Sequence, residues 1–280
     1  MTPLIVQAKG GLGNQLFQFA FALWFKKLES RSIYFDISIL LSLPSHQGFA
    51  LRDLFPQFTF NLTNGNTFRI PHICINFDPI PSWYHPCICQ FQDPVYAKGY
   101  FQNAQYLHST LGFIRDNLNS STPQRRMTQL CESPRICLHL RRGDYLSGNN
   151  VNVHGTITLS SILHQAMILV DSYRLSGLEP EVCLYSDQAL NPADAATISK
   201  HSLTDVKINS SNSYLDDFFG VGDAEHVICT NSTFGYWAGL LSSRAQTIWI
   251  PSVWMKSNLV RSQDLLCDRV RVYNAEFCLT

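Results

Sequence analysis

Arg135-Ile136-Cys137-Leu138-His139-Leu140-Arg141-Arg142-Gly143-Asp144-Tyr145 follows Pro134, opens on an apolar run and closes on a polar one. The apolar part reads as a buried strand, and Arg141-Arg142 as the start of the loop at its carboxyl end. Two adjacent arginines are hard to explain by packing, because Arg is seldom buried without a partner. A planar guanidinium with several donors suits a bidentate grip on phosphate. For the pair alone, the plainer account is that one arginine pairs with Asp144 and the other is solvated. The sequence that follows changes that weighting.

Downstream, short strands alternate with helices. A helix starts at Ser160, with Ile162, Ala166, Leu169 and Val170 inward. Val182-Cys183-Leu184-Tyr185 is a strand that ends in Ser186-Asp187. Ile198 sits near the end of a helix, and Val206-Lys207-Ile208 is a short strand. Ser213 begins another helix. His226-Val227-Ile228-Cys229 is a strand ending in Thr230-Asn231-Ser232-Thr233. Phe234 to Leu241 is a helix apolar nearly all round, hence buried. Gln246 to Ile250 is read as the last strand. Such alternation implies a parallel sheet flanked by helices.

In open parallel sheets, ligands bind beyond the carboxyl ends of the strands. Arg141-Arg142, Ser186-Asp187 and Asn231-Ser232-Thr233 all lie at such ends. The arginines suit a diphosphate. Asp187 suits a base N–H or a ribose hydroxyl. Ser232 and Thr233 open a helix, where hydroxyls and free N–H groups bind phosphate or simply cap the helix. No acidic pair of the DxD kind stands at a strand end. A diphosphate here is therefore expected to be neutralised by arginine and helix dipole, with no metal required.

Upstream, Leu4 to Ala8 reads as a buried strand, Gly10-Gly11-Leu12-Gly13-Asn14 as a glycine-rich turn and Gln15 to Ser30 as a helix. One stripe of that helix carries Leu16, Phe19, Ala20, Leu23 and Lys27. Ser32 to Phe35 is a second strand ending in Asp36, which completes a βαβ-like opening. The turn is not a P-loop, since no Lys-Ser/Thr follows. It is a poor dinucleotide fingerprint, with Gly11 and Gly13 in place but Leu16 at the third glycine position. Asp36 keeps that option open, because a ribose-binding acid belongs there. Alternatively, Asn14 and Gln15 offer amides to a polyol, or the glycines serve packing alone.

Residues 37–95 carry recurrent prolines, which excludes long helices. Their aromatics and histidines (Trp83, Tyr84, Phe91, Tyr96, His72, His85) line an acceptor groove or fill the core of a small α+β region. Gly99-Tyr100-Phe101-Gln102-Asn103 precedes a helical run to about Leu118. The polar stretch from Asn119 to Arg126 is the best linker, so two domains are expected, 1–125 and 126–280.

The chain of 280 residues has 45% apolar residues, 12% aromatic residues and a formal net charge of zero. That length accommodates two domains of ~100–200 residues. Neutrality argues against broad nucleic-acid binding, which needs a basic face. Nine scattered cysteines without paired CxxC motifs argue against zinc. Cys137, Cys183 and Cys229 read as small core residues in a reducing compartment. With no signal segment and no apolar run of ~18 residues, the expected location is cytoplasmic, or peripheral at the inner membrane.

Four segments together carry a resemblance: GGLGNQLFQFA at 10–20, HLRRGDY at 139–145, YSD at 185–187 and NSTFGYWAGLL at 231–241. In order and spacing they resemble the family 11 glycosyltransferases, the α-1,2-fucosyltransferases. HxRRxDY is shared with the wider group that includes the α-1,6- and protein O-fucosyltransferases. The resemblance implies a GT-B fold, with two Rossmann-like domains facing across a cleft. It implies GDP-β-L-fucose on the C-terminal domain and a galactose-containing acceptor on the N-terminal side. Transfer would be inverting and metal-independent, with no cofactor, onto O2 of galactose, in building a bacterial surface polysaccharide or O-antigen. By this resemblance Arg141 holds the β-phosphate and assists its departure, Arg142 supports the loop and Asp144 anchors it. His139 and Asp187 lie near guanine and ribose, and Ser232, Thr233 and Phe234 hold the diphosphate. Asn14 faces the reacting sugar; Gly11 and Gln15 belong to the same turn. Many members read Ser-Asp-Asp where this chain has Ser186-Asp187-Gln188, which weakens the expected grip on guanine. Three alternatives remain: a nicotinamide oxidoreductase using Gly11, Gly13 and Asp36, a nucleotide-sugar binding protein without turnover, and a transferase of another GDP-sugar such as GDP-mannose.

Overall fold

The computed structural model describes every residue except 1, 29, 43–47, 66–70, 80, 83, 85–91, 122–132, 147, 149, 202, 204, 205, 210–212, 279 and 280; side chains are not described for 119–121. Trp83, His85, Phe91 and most of the expected linker therefore lie outside the described residues. The chain divides into two compact units, Met1–Gln124 and Arg125–Thr280, and both are α/β units built on parallel sheets.

The first unit runs β1 (Pro3–Gln7), α1 (Leu12–Leu28), β2 (Ser32–Asp36), α2 (Ser38–Ser42), α3 (Leu51–Leu54), β3 (Leu62–Thr63), β4 (Ile73–Asn76), β5 (Val95–Lys98), a 3-10 turn (Ala104–Tyr106) and α4 (Leu111–Ser121). Its sheet order is β3-β2-β1-β5-β4, with every pairing parallel. The strands β3, β4 and β5 are additions to the sequence reading. They are only two to four residues long, too short to show a clear period. Helix α1 is buried on nearly every side from Leu12 to Phe25, not along one stripe. Its aromatics explain why: Phe19 packs on Phe35, Phe55, Phe58 and Phe60, and Phe21 stacks on Phe101 with centroids 3.8 Å apart. Much of the aromatic content thus fills this core. Lys26 and Lys27 occupy the last turn, where the helix dipole favours cations.

The second unit runs β6 (Arg135–Leu140), a 3-10 turn (Gly143–Leu146), α5 (Asn150–Val153), α6 (Leu159–Leu175), β7 (Glu181–Ser186), α7 (Pro192–Lys200), β8 (Val206–Asn209), α8 (Tyr214–Gly222), β9 (His226–Cys229), α9 (Thr233–Leu241), β10 (Thr247–Pro251), a 3-10 turn (Ser262–Leu265) and β11 (Val270–Tyr273). The sheet order is β8-β7-β6-β9-β10-β11, all parallel. Taken in chain order from β6, this is the 3-2-1-4-5-6 arrangement of a Rossmann sheet. Strand β6 is central, and its residues from Ile136 to Leu140 are all buried. Strand β11 is the one that the sequence reading leaves out. Its interior residues Arg271 and Val272 are exposed, as befits an edge strand, so it lacks the apolar run that marks the central strands.

Arg135, at the amino end of β6, closes an ionic cluster remote from the loops. It meets Asp223 at 2.5 Å and Glu181 at 3.4 Å, and Arg244 bridges Asp223 and Glu225. Among the described residues no helix is long and apolar enough to cross a membrane.

Candidate active site

In each sheet the chain turns from one side of its first strand to the other, and a crevice opens at that switch point. In the second unit the switch lies between β6 and β9. Beyond β6 come Arg141 and Arg142; beyond β9 come Thr230 to Thr233. The two exits are stitched together, since the backbone N–H of Arg141 donates to Thr230 Oγ1 at 2.9 Å.

Arg141 is held on two sides. Its Nη2 donates to Asp144 Oδ1 at 2.6 Å, and Nη1 stands 3.0 Å from Asp187 Oδ2. Its guanidinium also lies 5.6 Å from the centre of the Tyr145 ring. Burial opposes the charge, but Asp187 and Asp144 outweigh it and keep the guanidinium above its usual pKa. The side chain retains 33% of its exposure. A guanidinium has five N–H donors, so the two carboxylates leave directions for a further anion.

Arg142 does something different. It is neither solvated nor aimed at the loop, but grips both oxygens of Asp194 at 2.6 and 2.8 Å. Asp194 is the third residue of α7 and completes a capping box with Asn191. Asn191-Pro192-Ala193-Asp194 announces such a cap in the sequence, but nothing local reveals that Arg142 is its partner. The backbone N–H of Arg142 donates to Asp187 Oδ1 at 2.8 Å. Asp187 therefore ties the loop after β6 to the end of β7. Gly143 makes room for it: a Cβ there would stand 2.4 Å from Asp187 Oδ2.

Ser232 caps α9, its hydroxyl accepting from the Gly235 N–H at 3.5 Å; Thr233 and Phe234 form the first turn. Asn231, buried, donates to the carbonyls of His154 and Gly155, each at 3.1 Å. Gln188 is exposed, with its N–H on Ser186 Oγ at 3.3 Å.

His139 lies beneath this surface, stacked on Phe234 with centroids 5.4 Å apart. Burial first, and the Arg141 charge second, push its pKa down to about 3, so the imidazole is neutral wherever the protein functions. In the unfolded chain it protonates near pH 6.5. A group with a depressed folded pKa stabilises the fold above its unfolded pKa, and that stability drains away as pH falls toward the folded value. We expect His139→Gln to flatten the loss of stability between pH 6.5 and about 3. The difference from wild type should approach ~1.4 kcal/mol per pH unit. Urea unfolding of both proteins at pH 7 and pH 5 measures it; parallel losses would contradict the assignment.

In the first unit the switch lies between β1 and β5. Gly11 opens α1, and a Cβ there would meet nothing within 4 Å. Asn14 Oδ1 accepts from Gln102 Nε2 at 2.9 Å. Gln15 is buried and donates to the carbonyls of Gly10 and Gly48, each at 2.9 Å. Asp36 is buried, and its carboxylate accepts from the Ser38 N–H at 2.9 Å and from the Tyr96 hydroxyl. Structural bonds thus occupy the acid that a dinucleotide ribose would need. Among the described residues no group of three or more His, Cys, Asp or Glu side chains is placed to hold a metal ion.

The family model for glycosyl transferase family 11 matches residues 75–267. An Escherichia coli alpha-1,2-colitosyltransferase is 23% identical, over 94% of this chain and 96% of its own. Among solved structures, POFUT1 in complex with GDP is similar with a TM-score of 0.48 and 12% identity, over 89% of this chain and 98% of that one. A mutant of Arabidopsis thaliana FUT1 in complex with GDP gives 0.46 and 14%, over 89% and 70%.

Proposed function

Because the chain belongs to glycosyl transferase family 11, we propose that it transfers L-fucose from GDP-β-L-fucose to O2 of a galactose residue, with inversion and without a required metal. The observation that carries this reading is Arg141, held between Asp144 and Asp187 at the β6/β9 switch point. As the bond from sugar to diphosphate breaks, the sugar gains oxocarbenium character and negative charge grows on the leaving phosphate. A cationic donor fixed beforehand stabilises that charge without reorganising. Arg141 takes this role. The N-terminus of α9, with Ser232, Thr233 and Phe234, faces the same developing charge through its dipole. Asp187 positions Arg141 and accepts from the nucleoside. Arg142 and Asp144 set the loop, and His139 shapes the floor under Phe234. The acceptor belongs to the first unit, at Gly11 and the first turn of α1 with Asn14 and Gln15. The product is an α-L-fucoside of a bacterial surface glycan, made on the cytoplasmic side, with the enzyme soluble or peripheral at the inner membrane.

A second donor has its own support, the Escherichia coli relative named an alpha-1,2-colitosyltransferase. Colitose is L-fucose without its 3-hydroxyl, so the same leaving-group chemistry serves both.

Calorimetric titration with GDP in excess EDTA, with NAD as control, tests the donor site. We expect GDP to bind without metal and NAD not to bind. Incubation with lactose and either GDP-fucose or GDP-colitose then identifies the sugar, and NMR of the product its linkage. Binding of GDP only in the presence of a divalent cation would refute the metal-independent mechanism.

A further inference from the structure

The exits of β1, β5 and β4 carry a second group of polar side chains, two residues beyond each strand end. Lys9 follows β1, Tyr100 follows β5 and Asp78 follows β4. Lys9 is buried; its ammonium pairs with Asp78 Oδ1 and lies over the Tyr100 ring, 4.5 Å from the centroid. Beside this contact runs the bond from Gln102 to Asn14, again between the exits of β5 and β1. The two contacts are neighbours along both exits. Lys9 precedes Gly10, where a Cβ would stand 2.6 Å from Asn14 Nδ2. Tyr100 and Gln102 flank Phe101.

Three observations set this group apart from ordinary structural polarity. First, Lys9 is covered while Asp78 is half-exposed, and an ion pair open to solvent on one side adds little stability. Second, Phe101 holds φ at +52°, an outlier for a bulky side chain. Its ring is locked in the core against Phe21 and Phe77. The strained turn places Tyr100 and Gln102 on either side, and such strain collects at functional sites. Third, Gln15 Oε1, in the first turn of α1 and on the side chain that donates to the Gly10 carbonyl, is buried with no hydrogen-bond partner among the described residues.

Lys9 is covered, while the Asp78 side chain keeps 38% of its exposure. Its two oxygens match two neighbouring hydroxyls, and the adjacent amides supply donors and acceptors for others. We propose that Asp78, oriented by Lys9, together with the Asn14–Gln102 pair, forms a recognition site for a neutral pyranose, taking two adjacent hydroxyls on the Asp78 carboxylate. The identity of that pyranose as a galactoside rests on the function proposed above.

Saturation-transfer NMR on the intact chain with methyl β-galactoside and with lactose tests the site without any need for turnover. Wild type is expected to transfer saturation to the galactose ring protons. Asp78→Asn keeps the shape, loses the charge and should reduce the transfer at least fivefold. Gln102→Leu, on the neighbouring contact, should reduce it too, and Arg141→Ala should leave it intact; thermal melts confirm that each variant folds. No transfer to either galactoside in the wild type, or undiminished transfer in Asp78→Asn, overturns the proposal. GDP titration of the same samples separates the two readings. GDP binding without galactoside binding defeats this site alone, and galactoside binding without GDP binding defeats the donor assignment alone.

Discussion

Arg141→Ala should lower turnover by on the order of 10²–10³-fold, the scale for removing one preorganised donor from a developing negative charge. The loss should fall mainly on kcat, because the interaction strengthens as the leaving phosphate gains charge. The fold should barely notice. Arg141 keeps a third of its exposure, and Asp187 retains the Arg142 N–H when the guanidinium is gone. The stability cost should therefore stay within about 1 kcal/mol, as for partly exposed ion pairs. Arg141→Lys restores the charge without the fork that spans Asp144 and Asp187, so it should recover only part of the rate. Steady-state kinetics beside a thermal melt decide the matter. Near-normal turnover in a folded Arg141→Ala would remove Arg141 from the mechanism.

Its neighbour should behave in the reverse way. Arg142→Ala takes the cation from a covered carboxylate: the Asp194 side chain is only 7% exposed, gives both oxygens to Arg142 and would keep the Asn191 N–H. Breaking a covered pair from one side costs on the order of 3 kcal/mol. Arg142 is also the first reason that Asp194 titrates below the usual carboxylate range. A depressed pKa gives stability that is present above the unfolded value and lost as pH falls. Without Arg142 the variant's deficit should be largest at neutral pH and shrink as acid protonates Asp194. Removing the partner as well, in Arg142→Ala with Asp194→Asn, should recover part of the loss. Urea unfolding at pH 7 and pH 4 measures all three. An Arg142→Ala protein as stable as wild type, but inactive, would return Arg142 to the chemistry.

The two arginines show what the sequence discloses and what it withholds. Their place at a strand end follows from the apolar run of β6 and the alternation after it, and so does the parallel sheet of the second unit. The family resemblance rests on four segments, of which the last three lie within the stretch matched by the family model. The resemblance separates the roles of the two arginines, but the partner that holds Arg142 does not follow. Asp187 and Asp194 stand 45 and 52 residues beyond Arg142, and no local pattern connects them. Asp144, three residues away, is the partner that local spacing does reveal. Short strands such as β3, and the charged edge strand β11, also escape periodicity. The plain account of Ser232 as a helix cap describes its hydroxyl. Asp36 looks available in the sequence only because Tyr96, its hydroxyl partner, lies 60 residues downstream.

The stitch between Arg141 and Thr230 spans 89 residues, and it ties the central strand to one that arrives much later in the chain. Such non-local pairing slows folding, because the loop must close before the contact rewards it. β6, β7 and β8 precede β9 in the chain, so until β9 is made one side of β6 has no strand to pair with. An unpaired strand edge invites association with other chains. Residues 226–229, which form β9, pair with that side of β6 and lead into the Thr230 end of the stitch. A nascent chain stopped short of them carries both arginines but no site, and β6 is where it would aggregate.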